Sequence, residues 1–233
     1  MHIFYTPNIL QLNELPQEEV QHCVRVLRLK EGDKICLTDG LGYFYSAEIA
    51  AISPKHCHVQ ILEKSKQNPS WQNQIHIAMA PTKNMDRNEW FAEKATEIGI
   101  NQISFLNCRY SERKEIKSER IKKILIAAMK QSQKATLPKL QAMIDFNKFV
   151  SQDFNGQKFI AHCHPGEKTH LVNAYKKGEN ALVLIGPEGD FSEEEVSLAI
   201  KHGFQSVSLG ESRLRTETAA LTACQTIHII NFQ

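Results

Sequence analysis

The sequence predicts an α/β protein in which a small β-rich module precedes a parallel sheet alternating with helices. Three observations carry this expectation. Short apolar stretches separated by turn signals fill residues 1–68. From about residue 75 the rhythm changes to strand-sized apolar runs alternating with amphipathic segments. Two of the later runs break into glycine-containing loops that open helices, as at the carboxyl ends of strands in open α/β sheets. At 233 residues the chain is long enough to bury a substantial core, and the boundaries fall at 1–68 and 74–233.

In the first module, Asp33-Lys34-Ile35-Cys36-Leu37-Thr38-Asp39-Gly40-Leu41-Gly42-Tyr43-Phe44 alternates in character around Asp39-Gly40, a strong hairpin signal. Residues 47–52 and 58–62 supply two further strands, and 65–70 has linker composition. A strand at 75–80 and a helix at 86–98 follow, with Trp90, Phe91, Ala95 and Ile98 sharing one helical face. After a strand at 103–106, residues 119–134 form an amphipathic helix, basic outside, whose buried stripe is Ile121, Ile124, Leu125, Ala128 and Met129. Strands near 140–143, 159–162, 181–185 and 207–209 complete the series, with helices starting near Ser192 and Thr216.

The net charge of +2 conceals a division along the chain. Residues 109–139 hold ten Lys or Arg against three acids, a net of +7, which leaves 18 of the 28 basic and 23 of the 26 acidic residues elsewhere. Such a concentration suits a polyanion surface, most simply nucleic-acid phosphates, and equally describes a solvated helix face. The six cysteines form no C-x-x-C pair, and no cationic, apolar leader opens the chain at Met1-His2-Ile3-Phe4, which predicts free thiols in the cytoplasm. No apolar run approaches the roughly 20 residues that span a bilayer.

Two strand-to-helix junctions stand out. Ala181-Leu182-Val183-Leu184-Ile185 breaks at Gly186-Pro187-Glu188-Gly189-Asp190-Phe191, where two glycines permit close backbone approach and a tight turn is the plainer explanation. Ser192 and Glu195 then match a capping box, a structural role. In the second junction, Leu209-Gly210-Glu211-Ser212-Arg213-Leu214-Arg215-Thr216-Glu217, Thr216 suits an N-cap and Glu217 suits the helix dipole. Arg213 and Arg215 have no such structural reason, because cations are unfavourable at a helix N-terminus. Their presence points to an anionic or acidic partner.

Other constellations lead nowhere in the sequence. His56-Cys57-His58 and His162-Cys163-His164 each present two imidazoles without a further local pair of ligands, so no metal is expected. Ser212 lies in no nucleophile elbow, and G-x-G-x-x-G and Walker motifs are absent.

Leu184-Ile185-Gly186-Pro187-Glu188-Gly189, with Leu209-Gly210 and Leu214-Arg215-Thr216-Glu217-Thr218-Ala219, resembles the RsmE family, the small-subunit ribosomal RNA uridine N3-methyltransferases of the SPOUT superfamily. His22-Cys23-Val24-Arg25-Val26-Leu27-Arg28, Glu93-Lys94-Ala95-Thr96-Glu97-Ile98-Gly99 and Gln131-Ser132 match further family elements in the same order. The resemblance implies a PUA-like β-barrel that binds RNA, then a SPOUT methyltransferase domain with a deep trefoil knot. It implies S-adenosyl-L-methionine as cofactor, 16S rRNA in the small ribosomal subunit as partner, and a homodimer. Carried over by position, Ile185, Gly186, Pro187, Glu188 and Gly189 form one cofactor loop, and Leu209, Gly210, Arg213, Leu214 and Thr216 the other. Arg215 and Glu217 are the catalytic candidates: Arg215 stabilises negative charge on the uracil carbonyls, and Glu217 orients Arg215 or receives the proton. Arg25, Arg28, Arg109, Arg113 and Lys114 are the phosphate-contact candidates. The family's Gly-Gly is Gly189-Asp190 in this chain, and its Arg-Ile is Ser212-Arg213. A related enzyme acting on transfer RNA or another ribosomal site, and a catalytically silent RNA-binding assembly factor, are the alternatives.

Overall fold

A computed structural model describes residues 2–69 and 71–232, so the expected segment ends at Met1, Ser70 and Gln233 lie outside the described residues. Packing divides the chain into Met1–Ser70 with Ile126–Leu137, and Trp71–Leu125 with Pro138–Gln233.

The first unit contains β1 (Ile3–Tyr5), α1 (Ile9–Leu12), α2 (Gln17–Gln21), a π-helical turn over His22–Val26, β2 (Lys34–Thr38), β3 (Tyr43–Ile52) and β4 (Cys57–Lys66). These strands form a sheet in the order β1-β2-β3-β4, with β1 parallel to β2 and the other pairs antiparallel. The Asp39-Gly40 turn joins β2 to β3 as expected. Asp39 Oδ1 accepts from Leu41 N at 2.7 Å, and Oδ2 accepts from the buried Tyr45 hydroxyl at 2.9 Å. Residues 47–52 are not a separate strand. They continue β3, bent by register shifts at Ser46/Ala47 and Ile49/Ala51. Phe4, Ile9, Val20, Leu37, Tyr45 and Ile49 pack as the core of this unit. The 126–137 segment belongs to it through paired backbone bonds, Gly42 N to Ala135 O and Leu137 N to Gly40 O, both 2.9 Å.

In the second unit, β5 (Ile75–Met79), α3 (Met85–Ile98) and β6 (Gln102–Asn107) precede α4 (Ser118–Gln131), whose last residues lie in the first unit. Then come β7 (Lys139–Asp145), α5 (Phe146–Val150), β8 (Gln157–Ala161), β9 (Thr169–His170), α6 (Leu171–Ala174), β10 (Ala181–Ile185), α7 (Glu193–Lys201), β11 (Gln205–Ser208) and α8 (Thr216–Phe232). Their seven strands lie in the order β7-β6-β5-β10-β8-β11-β9, and every pair is parallel. Central β5 and β10 are buried at all five positions, which is why they read as continuous apolar runs.

Two helical expectations need correction. Trp90 is 41% exposed, and the buried face of α3 is Asn88, Phe91, Ala92, Ala95 and Thr96, a stripe rotated past the tryptophan. The expected helix over 119–134 stops at Gln131, and Gln133 takes φ +53. No helix among the described residues is long and apolar enough to cross a membrane. All six cysteines are free, and only Cys163 is exposed.

Candidate active site

Because β8, β10 and β11 are neighbours in a parallel sheet, the loops leaving their carboxyl ends converge on one edge, where open α/β sheets bind ligands. The loop after β10 is built tightly. A side chain at Gly186 would put its Cβ 3.1 Å from both the ring and the backbone nitrogen of Phe191. Glu188 Oε1 accepts from Lys83 N at 2.9 Å, anchoring this loop to the one after β5. Ser192 and Glu195 form the expected capping box, with Glu195 N to Ser192 Oγ at 3.2 Å and Ser192 N to Glu195 Oε2 at 2.8 Å. After β11, Gly210 adopts φ +126 and borders open space.

One hydrogen bond unites the two junctions. Thr216 Oγ1 donates to the Gly186 carbonyl at 3.1 Å, and both groups are buried. Thr216 is the first residue of α8, with its hydroxyl committed to the neighbouring loop, where the sequence suggested an N-cap. Between the loops lies a cavity of about 650 Å³, a size suited to a small cofactor. Ile185, Gly186, Pro187 and Glu188 line it from one side, and Leu209, Gly210, Arg213 and Leu214 from the other. Arg215, Thr216 and Glu217 also face it. Gly189 stands apart and abuts Tyr110, whose Cβ a side chain there would meet at 3.1 Å.

The charged groups differ in how they are held. The side chains of Arg213 and Arg215 are exposed and have no ion-pair or hydrogen-bond partner among the described residues. Glu217 is 7% exposed, and its Oε1 lies 3.7 Å from Arg87 Nε. Its Oε2 is buried without a hydrogen-bond partner. Of the two roles expected for Glu217, orienting Arg215 has no contact behind it, and Arg87 of α3 lies beside the carboxylate instead. Nothing in the local sequence marks Arg87, because it reaches the cavity only through the packing of α3 along α8.

His162, Cys163, Lys168 and Asp190 also line the cavity, and no local pattern in the sequence marks them as part of it. His162 is hydrogen-bonded to Ser206 Oγ at 3.0 Å, and burial followed by the nearby Lys168 charge lowers its pKa. Of the phosphate-contact candidates, Arg25 and Arg28 are exposed in the first unit without partners among the described residues. Arg109 pairs with Glu194 at 3.1 Å, and Arg113 donates to the carbonyls of Thr82 and Lys83. Lys114 donates to Asn107 Oδ1 and the Cys108 carbonyl at 3.2 Å. Part of the basic stretch therefore braces loops of its own unit.

Fold and site together define an α/β protein with a cofactor-sized cavity at the crest of a parallel sheet, rimmed by unpaired arginines and a buried carboxylate. The chain belongs to the RNA methyltransferase family. The family's RNA methyltransferase domain matches residues 48–228, and its RNA methyltransferase PUA domain matches 15–62. A curated relative, the ribosomal RNA small subunit methyltransferase E of Rickettsia conorii, is 29% identical over 221 residues, covering 93% of this chain and 89% of its own. The crystal structure of a probable rRNA-methyltransferase from Porphyromonas gingivalis is 42% identical with a TM-score of 0.95, covering 100% of this chain and 99% of that one. That of the ribosomal RNA small subunit methyltransferase E from Neisseria gonorrhoeae, bound to S-adenosyl methionine, is 27% identical with a TM-score of 0.86, covering 98% and 97%.

Proposed function

We propose that this protein transfers a methyl group from S-adenosyl-L-methionine to N3 of one uridine in 16S rRNA of the small ribosomal subunit. In this reading it works in the cytoplasm as a homodimer, its last loops are tied in a deep trefoil knot, and the reaction calls on no metal. The observation that carries the proposal is the Thr216–Gly186 hydrogen bond, which joins two crest loops around one cavity with Arg215 and Glu217 on its lining.

The residues fit the cofactor. Ile185, Leu209 and Leu214 offer apolar walls, Gly210 leaves the backbone approachable, Gly186, Pro187, Glu188, Arg213 and Thr216 complete the lining, and Gly189 continues the first loop against Tyr110. When bound, S-adenosyl-L-methionine supplies an electrophilic methyl group on a sulfonium. Uridine N3 carries a proton at neutral pH, which must leave as the nitrogen attacks. Arg215, exposed and unpaired, is available to stabilise the negative charge that develops on the uracil carbonyls. The unpartnered Oε2 of Glu217 is available to accept the proton, while Oε1 faces Arg87. The base reaches this edge only when it is flipped out or lies in an open RNA segment. Arg25 and Arg28 supply phosphate contacts, and Arg109, Arg113 and Lys114 add positive field beside the contacts that brace them.

Replacing Arg215 with Ala is expected to abolish methyl transfer to small subunits taken from cells lacking the gene, with cofactor affinity within a few-fold of wild type. Equal loss of cofactor binding and turnover would overturn the assignment of Arg215. Retained RNA binding by a wild-type protein that transfers no methyl would instead support the silent assembly factor.

A further inference from the structure

We propose that the first unit carries a surface site for one divalent transition-metal ion of the Zn2+ class, formed by Glu14, His56 and His58. Each of these residues offers one ligand atom, and the three atoms lie within 4.8 Å of one another. In the sequence His56-Cys57-His58 has no further local pair of ligands, and the fold brings Glu14 to it from 42 residues upstream in the chain.

The arrangement follows from strand geometry. Cys57 is fully buried in the core, so His56 and His58 on either side of it turn outward to the same face. Their rings stack at 6.3 Å between centroids with 4° between planes. Glu14 is the direct antiparallel partner of His58, which puts its carboxylate on that face too. The pairing is fixed on both sides by Leu15 N to Cys57 O at 3.0 Å and Val59 N to Asn13 O at 2.9 Å. His56 is held by a turn in which Ser53 N donates to the His56 carbonyl at 2.8 Å and Ser53 Oγ accepts from His56 N at 3.0 Å. His56 Nδ1 already lies 2.7 Å from Glu14 Oε1. Two imidazoles and a carboxylate suit Zn2+, whose bonds of about 2.0–2.2 Å set ligand atoms roughly 3.3 Å apart. The His56–Glu14 contact of 2.7 Å is shorter than that spacing and the widest separation in the group is at most 4.8 Å, so the exposed side chains bracket it. Because the ligands come from two segments that meet only in the folded chain, the ion would clip residues 13–15 to β4 and stabilise the folded state.

The test is calorimetric titration of untagged full-length protein with Zn2+ alone, paired with thermal unfolding at the same concentrations. One equivalent is expected to bind and raise the melting temperature. Glu14→Gln should weaken that binding by at least about tenfold, and the His56→Ala/His58→Ala double variant should remove it together with the thermal shift. All three positions lie at the surface, so circular dichroism of the zinc-free variants checks that they fold. Absence of Zn2+ binding overturns the site, as does binding unchanged in these variants or abolished only by Cys163→Ser.

Discussion

Asp190 adopts φ +66, a conformation that glycine enters freely and other residues enter at a cost. Its carboxylate offsets that cost: Oδ2 accepts from Cys163 N at 2.7 Å and Oδ1 from Phe191 N at 2.8 Å. Asp190 thus holds a left-handed backbone and ties the loop after β8 to the loop after β10. Asp190→Ala, which keeps the strain and loses both bonds, should lower stability by about 2 kcal/mol, and Asp190→Gly by roughly 1 kcal/mol less. Chemical denaturation measures both, and equal losses would argue against a strained backbone at this position. Arg87 shows the opposite limit of reading residues from sequence. Arg215 was legible as a cation with no local partner, whereas the actual neighbour of Glu217 comes from a helix some 130 positions earlier, and no spacing rule reports such a contact.

At the scale of elements, the apolar runs of β5, β6 and β10 and the capping box of α7 were legible because burial and end-capping leave local signatures. Short pieces were not: β1, β9, α1 and α6 have two to four residues each, too few to establish a period. The junction of β10, β11 and α8 depends on Thr216. Thr216→Val preserves shape but leaves the buried Gly186 carbonyl without its donor. It should cost about 1–3 kcal/mol in stability and weaken cofactor binding, while Thr216→Ser retains most of both. Isothermal titration with S-adenosyl-L-methionine separates these variants, and equal affinities would show that the bond does not shape the cavity. Within β5, His76 is 5% exposed, and burial pushes its pKa down to about 4 from 6.5. The unfolded chain therefore binds a proton below pH 6.5 that the folded protein refuses. Its contribution is fully present above pH 6.5 and is lost as pH falls toward 4, a change of about 3 kcal/mol. Urea melts across that window should show the slope, and His76→Asn should flatten it; an unchanged slope would assign the effect to other groups.

At the scale of the molecule, the change of rhythm near residue 75 disclosed an α/β sheet, because strand and helix periods are written locally. The strand order was not disclosed. Insertion of β10 between β5 and β8 is a long-range choice, and it is this choice that sets the loops of residues 186–191 and 209–215 on the same edge. The return of residues 126–137 to the first unit was equally invisible, since it rests on backbone pairing with Gly40 and Gly42 and on Lys130 Nζ meeting Glu19 Oε1 at 2.6 Å. In the function proposed above, the cavity at this edge serves methyl transfer to a uridine ring nitrogen in small-subunit RNA. The most direct measurement incubates the protein with methyl-labelled S-adenosyl-L-methionine and small subunits from cells lacking the gene, then digests the 16S rRNA to nucleosides. Label is expected in N3-methyluridine at about one equivalent per subunit; label in any other nucleoside, or none, would overturn methyl transfer to uridine N3.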